Sequence, residues 1–278
     1  METKKLPNGF ELPVLAIGTY GMGGDEAKSD YGEDKKHIKA IQEAIKLGYL
    51  HIDTAETYGK GHTEELVGKA IKEFEREKIF ITTKVAKEHL KYNDVIDSAK
   101  KSLKRLETDY IDLYLVHAPN PEIPIKETME AMNYLVDKKL VRNIGVSSFD
   151  VEQMKEAQKY SKHKIIANQL KYNLYVHIDV KAIKYCQDNN IMVIAYKPFG
   201  RGKLSTEKIQ LLSELAEKYN KTEAQIILNW VTAKKNVVAL FKAGSAMHLK
   251  ENKNIFDFKI TTEESKKLDE LVHPKEES

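Results

Sequence analysis

Four residues in the first half of the chain, Asp53, Tyr58, Lys84 and His117, are of the types that together could hand a proton to an oxygen. A tyrosine hydroxyl titrates near pH ~10 and alone is a reluctant acid at neutral pH. A lysine ammonium within a few ångströms favours the phenolate and lowers that value. A buried lysine sheds its own proton unless a carboxylate keeps it charged, which gives Asp53 a role beside Lys84. A histidine beside the tyrosine can orient a carbonyl oxygen or pass a proton. Such a set protonates an oxygen that is becoming an alkoxide, as happens when hydride reaches a carbonyl carbon. Singly, each residue has a plainer reading: Asp53 as a helix cap, Lys84 reaching along its stem to water, Tyr58 as a rim aromatic, His117 bonded to a nearby backbone. The functional reading needs a fold that brings the four to one place.

The sequence supplies a period that does so. Eight short runs rich in Val and Ile, VLAIGT (14–19), HIDTA (51–55), IFITTKV (79–85), IDLYLVH (111–117), RNIGVS (142–147), IIANQL (165–170), IMVIAYKP (191–198) and VVALFKAG (237–244), alternate with amphipathic stretches. Examples of the latter are 37–47, with Ile38, Ile41, Ala44 and Ile45 on one face, and 95–106, with Val95, Ala99, Leu103 and Leu106. Further helical patterns cover 205–219 and 261–272, and Pro7-Asn8-Gly9 signals a hairpin at the start. Strands alternating with helices argue for a parallel sheet, and eight such units predict a closed (β/α)8 barrel spanning residues 1–278 as one domain, an open doubly wound sheet being the alternative. In such a barrel the active site lies at the carboxyl ends of the strands. Those ends carry Thr19 and Tyr20, Asp53, Lys84, His117, Ser147 and Ser148, Gln169, Tyr196 and Lys242, and Tyr58 follows Asp53 in the same loop.

Composition narrows the remaining classes. The 278 residues hold 45 basic and 42 acidic side chains, interleaved, for a net charge of +3, and no basic run of the kind a nucleic-acid binder concentrates on one face. The single cysteine, Cys186, excludes an intrachain disulfide framework and any multi-cysteine metal site, so no metal is expected and a reducing, cytoplasmic setting is. No stretch approaches the ~18–20 apolar residues of a membrane span, and METKKLPNGFELP has no signal-peptide core. The chain is taken as a soluble monomer acting on a small molecule.

Across nearly its whole length the sequence resembles the aldo-keto reductase family. The resemblance rests on Gly18-Thr19, Asp53 to Gly59, Thr83-Lys84-Val85, Ser102-Leu103 through Leu115-Val116-His117, Gly145-Val146-Ser147, Asn168-Gln169 and Ala195-Tyr196. It implies a barrel reductase with Tyr58 as general acid, Lys84 depressing its pKa, Asp53 pairing with Lys84, and His117 orienting the substrate carbonyl. It also implies a nicotinamide cofactor, NADPH, extended across the rim. On that reading Gly18, Thr19, Tyr20 and Asp53 border the cofactor, Ser147, Ser148 and Gln169 bond its carboxamide, and Tyr196 stacks on the ring. Lys197, Pro198 and Phe199 would also border the cofactor, and the loop Gly200-Arg201-Gly202-Lys203 would lie near its pyrophosphate. Lys242, Ala243, Gly244, Ser245, His248, Glu251 and Asn252 would hold the adenosine 2′-phosphate and adenine.

The sequence departs from that pattern in places. Gly21-Met22-Gly23-Gly24-Asp25-Glu26 imitates a dinucleotide fingerprint, but Glu26 stands in place of the third glycine and the connection is too long for the tight turn. Ala243 stands where a hydroxyl residue is common and His248 where an arginine usually grips the phosphate in a fork, which should weaken 2′-phosphate discrimination by ~1–3 kcal/mol. NADH is therefore expected as a second cofactor, used more at higher pH as His248 loses its charge. Ala86 and Ala118 replace tryptophans that often cover the substrate, and no long carboxyl-terminal loop follows the last helix. An open site with weak selectivity and high KM for aldehydes, ketoacids or sugar-derived carbonyls is expected. A cofactor-binding regulatory or structural member of the fold is the alternative from another class, and an unrelated phosphate-handling barrel isomerase the third.

Overall fold

An antiparallel ribbon, β1 (Thr3–Lys5) paired with β2 (Glu11–Pro13), opens the computed structural model, which describes residues 1–175, 179–242 and 246–272, with the backbone alone at 201 and 205. The ribbon turns through Pro7-Asn8-Gly9, with Gly9 at φ 89°, as the Asn-Gly pair predicts. Leu6, Phe10 and Leu12 of this ribbon cluster with Ala16, Leu113, Ile166, Met192, Ile194 and Val238. That cluster fills the inside of a barrel and stoppers its amino end.

The barrel consists of β3 (Leu15–Gly18), β4 (His51–Asp53), β5 (Phe80–Val85), β6 (Ile111–Val116), β7 (Val141–Ser147), β8 (Ile165–Lys171), β9 (Met192–Tyr196) and β10 (Val237–Lys242). All neighbours are parallel, and β10 pairs with both β9 and β3, which closes the sheet. Outside it, in chain order, run α1 (Asp34–Lys46), α2 (His62–Ile71), α3 (Tyr92–Leu106), α4 (Ile125–Asp137), α5 (Val151–Tyr160), α6 (Val180–Asp188), α7 (Lys203–Thr206), α8 (Gln210–Tyr219), α9 (Glu223–Ala233), α10 (Ala246–Lys253) and α11 (Thr262–Val272). A second apolar layer, including Ile41, Leu66, Val95, Leu103, Met132, Ile227 and Trp230, fuses helices to sheet. Period-2 alternation within each strand sends one side chain into the barrel and the next out to that layer. On β5, Lys84 points in and Thr83 out, toward α2.

Two helical expectations change. The pattern over 205–219 is interrupted: Glu207 is extended (ψ 108°), α7 stops at Thr206, and α8 starts at Gln210 after partly buried Ile209 packs on the core. The helix α9 (223–233) is not among the expected elements because its polar row is buried with the rest; Gln225 and Asn229 are buried along with Ile226, Ile227, Leu228, Trp230 and Val231. Only its Thr222–Gln225 capping box marks the start. The run 191–198 also ends earlier as a strand, because Lys197 (φ 55°) and Pro198 terminate β9 at Tyr196. Among the described residues no helix is long and apolar enough to cross a membrane.

Candidate active site

The strand ends converge as the barrel requires. Asp53 ends β4, Lys84 lies one residue before the end of β5, His117 follows β6, and Tyr58 opens a turn of 3-10 helix after β4. Lys84 Nζ donates to Asp53 Oδ1 at 2.5 Å, to the Thr54 carbonyl at 2.8 Å and to Tyr58 Oη at 3.3 Å. All three ammonium protons are thereby used. The second oxygen of Asp53 accepts from Gln169 Nε2 at 2.7 Å. Two accepting oxygens mark Asp53 as a carboxylate and Lys84 as its ammonium partner. The rings of His117 and Tyr20 each meet that of Tyr58 in a T-shaped contact, with centroids 5.8 and 5.1 Å away.

Charge and burial set the proton affinities. Burial works to lower the Lys84 amine, but Asp53 and Tyr58 outweigh it and the amine stays above its ordinary value. Burial pushes the Asp53 carboxyl up, against the pull of Lys84 and Gln169. His117 is pushed down to about 3 by burial and by the charges of Lys84 and Lys197, so its imidazole is neutral at physiological pH. Tyr58 departs from expectation. Burial raises its phenol, Lys84 pulls it back, Asp53 and Glu26 push it up, and the balance lies above the ordinary tyrosine value. Lys84 thus limits a rise and does not by itself bring the phenol below pH ~10.

Asp53, Tyr58 and His117 border a cleft of about 760 Å³, with Lys84 fully buried behind them. Its walls include Gly18, Tyr20, Gly21, Glu26, Asp53, Tyr58, His117, Ser147, Ser148 and Gln169, together with Tyr196, Lys197, Pro198, Phe199, Gly202 and Lys242. A second cavity of about 340 Å³ shares Phe199, Phe241 and Lys242 with it and reaches His248, Glu251 and Asn252. Most of the strand-end residues singled out in the sequence therefore line two adjoining cavities.

Some do not. Thr19 is buried, its N–H and Oγ1 both donating to the Asp53 carbonyl at 3.0 and 2.9 Å, so it holds Asp53 in place. Gly200 and Lys203 also lie off both walls; Lys203 pairs with Glu207 at 3.0 Å. Ser147 and Gln169 do line the cleft; Ser147 donates to the Gln169 backbone carbonyl at 3.1 Å, and Gln169 Nε2 gives one of its two protons to Asp53. Ala243, Gly244 and Ser245 lie outside the described residues, as does the side chain of Arg201. The sequence reading missed Thr54 as an acceptor for Lys84, Gln169 as a partner of Asp53, and Glu26 on the wall. Only the barrel register, which sets Gln169 beside Ile194 and across the interior from Asp53, could have found the second.

A closed (β/α)8 barrel whose strand ends bring a buried lysine–carboxylate pair to a tyrosine, beside a neutral histidine, carries its titratable groups where barrel enzymes keep their active sites. The family model of the Aldo/keto reductase family matches residues 14–273. Glyoxal reductase of Bacillus subtilis is 36% identical over 97% of this chain and 92% of its own. A thermostable aldo-keto reductase solved with the inhibitor epalrestat is 45% identical, covers 98% of this chain and 100% of its own, and superposes with a TM-score of 0.91. An aldo/keto reductase from Klebsiella pneumoniae in complex with NADP and acetate is 31% identical over 99% of this chain and 96% of its own, with a TM-score of 0.86. The chain belongs to the aldo/keto reductase family and is an oxidoreductase.

Proposed function

We propose that the protein reduces the carbonyl of small aldehydes and ketones to an alcohol at the expense of NADPH, with Tyr58 as the proton donor. The observation that carries this is the three-way contact of Lys84 Nζ with Asp53, Thr54 and Tyr58 at the floor of the cleft. The path through both cavities fits the cofactor chemically. It offers an aromatic plane at Tyr196, cationic side chains at Lys197 and Lys242, and the polar groups of Glu251 and Asn252 at the far end. When bound, the nicotinamide supplies hydride to the carbonyl carbon. Neutral His117 can donate a hydrogen bond to the carbonyl oxygen without competing as an acid. Tyr58 then gives its proton to that oxygen, and Lys84, held charged by Asp53, stabilises the phenolate left behind. The relatives named for glyoxal reduction and solved with NADP and acetate support small carbonyls and NADP as partners. With His248 exposed at the end of the path, NADH serves as a second cofactor. A buried free thiol at Cys186 suits the reducing cytoplasm, and the enzyme acts as a monomer.

The test is consumption of NADPH and NADH over a panel of aldehydes and ketoacids by wild type and Tyr58→Phe. Turnover that falls by ~10²-fold or more in the variant, with cofactor binding kept, is expected. Wild-type turnover in Tyr58→Phe would refute Tyr58 as the acid, and cofactor binding without any turnover would make the chain a binding member of its family.

A further inference from the structure

The turn carrying Tyr58 is tied at both flanks to the strand carrying Lys84. Ahead of Tyr58, Glu56 Oε1 accepts from the Ala86 N–H at 2.6 Å, and the Glu56 N–H donates to the Lys84 carbonyl at 3.3 Å. Beyond Tyr58, Glu64 Oε1 accepts from Thr83 Oγ1 at 2.5 Å. Thr83 and Ala86 bracket Lys84, just as Glu56 and Glu64 bracket Tyr58. Glu64 is fully buried, and Arg105 meets its other oxygen through Nε at 2.7 Å and Nη2 at 2.6 Å.

Between the two ties the backbone is held in an unfavourable shape. Gly59, Lys60 and Gly61 are consecutive left-handed residues at φ 54°, 52° and 95°. Lys60 has no glycine freedom to make that conformation cheap. Arg105 closes the underside: a Cβ on Gly61 would stand 2.8 Å from its Cδ. Such a segment keeps its place only while its surroundings over-determine it. The contact at stake, Lys84 Nζ to Tyr58 Oη, is already 3.3 Å long, so a small outward swing of the turn breaks it.

We infer that Glu56, Glu64 and Thr83 are positioning residues, a two-point carboxylate staple that fixes how far Tyr58 stands from the Lys84 charge. The inference rests on Tyr58 being the proton donor. None of the three touches the reacting atoms; they act by holding the turn against β5. Of the two ties, the Thr83–Glu64 bond can be cut with least collateral change, because Thr83→Val removes one hydroxyl and leaves the Glu64–Arg105 ion pair in place.

The experiment compares wild type, Thr83→Val, Thr83→Ser and Tyr58→Phe, each normalised to its folded fraction by circular dichroism. Thr83→Val should lower kcat about tenfold and leave KM for the carbonyl within about twofold, as loss of a contact felt in the transition state does. Its alkaline limb of kcat should move to higher pH, because a phenol further from an ammonium holds its proton more tightly. Thr83→Ser keeps a hydroxyl and should restore both. A wild-type kcat and pH profile in Thr83→Val beside an inactive Tyr58→Phe overturns the staple and leaves Tyr58 as the acid. A lowered kcat with an unmoved alkaline limb overturns it as well. Wild-type turnover in Tyr58→Phe removes the reading on which the staple rests.

Discussion

The two ends of the barrel each bury a carboxylate against a cation, and they use it differently. At the amino end Asp112 of β6 accepts from Arg76 Nη2 at 2.8 Å, from Arg142 Nη1 at 3.1 Å and from the Ile81 N–H at 3.0 Å. Arg76 spends its other donors on Thr108 Oγ1 and on the carbonyls of Ile79 and Tyr110, and both guanidiniums lie over the Tyr110 ring at 4.0 and 3.6 Å. Every one of those donors ends on a group that does not titrate near neutrality or on the carboxylate itself. At the carboxyl end Lys84 uses all three of its protons, and the third goes to Tyr58, which lines the cleft. A rigid guanidinium fork suits a permanent clamp; a compact ammonium beside a phenol suits a site where charge must move. Saturation alone does not mark an active site. On the role proposed for Tyr58, what marks it is that one of the bonded partners gives up a proton to something else.

Substitutions at the two ends should therefore separate activity from stability. Lys84→Met is expected to lower kcat for carbonyl reduction by ~10³-fold, since Tyr58 loses the charge that stabilises its conjugate base. The loss of stability should be modest, because burial already raises the Asp53 carboxyl and lets it take a proton once Lys84 is gone. Arg76→Gln should do the reverse. Breaking a buried, multiply bonded pair costs about 3 kcal/mol, read as a lower urea midpoint with an unchanged slope, while kcat stays within about twofold of wild type. An Arg76→Gln enzyme with normal stability and impaired kcat would erase the distinction between the two ends.

Much of this was legible in the sequence, and the parts that were not share a cause. Eight apolar runs separated by amphipathic stretches predict the barrel, and residues at the ends of those runs predict Asp53, Lys84 and His117 on one rim. Periodicity works there because each helix has a wet face and a dry one. It fails at α9, buried around Trp230, where no wet face exists. At Glu207–Ile209 it fails for another reason, because local helical spacing continues across a break that tertiary packing imposes. Within the site, residue type predicts the Lys84–Asp53 pair, because a buried ammonium needs a carboxylate. It says nothing of Thr19, whose hydroxyl turns back on Asp53, or of Thr83, whose outward bond to Glu64 crosses from strand to helix. Nor does it give the sign of the Tyr58 balance, which depends on how deeply the phenol is buried as well as on which charge is near it.

The smallest expected effect concerns the far end of the same path, where the comparison becomes one between cations. Lys242 borders both cavities, its Nζ 3.4 Å from where a Cβ on Gly21 would stand, and among the described residues it is the cation common to the two. His248 lines the second cavity from α10, together with Glu251 and Asn252. A phosphate ester there would meet one compact charge and one imidazole, in place of the planar fork that binds two oxygens at once. His248→Arg should accordingly raise the ratio of kcat/KM for NADPH over NADH by about tenfold, the effect of ~1.4 kcal/mol of added phosphate binding. The gain should fall on the KM for NADPH and leave kcat unchanged, since the substituted side chain contacts nothing at the reacting carbon. The NADPH advantage should also shrink as ionic strength rises, because the cavity is open to solvent and its charges are screened. A ratio that does not change with His248→Arg would mean that Lys242 alone sets the choice, and that the rim at α10 contributes shape without charge.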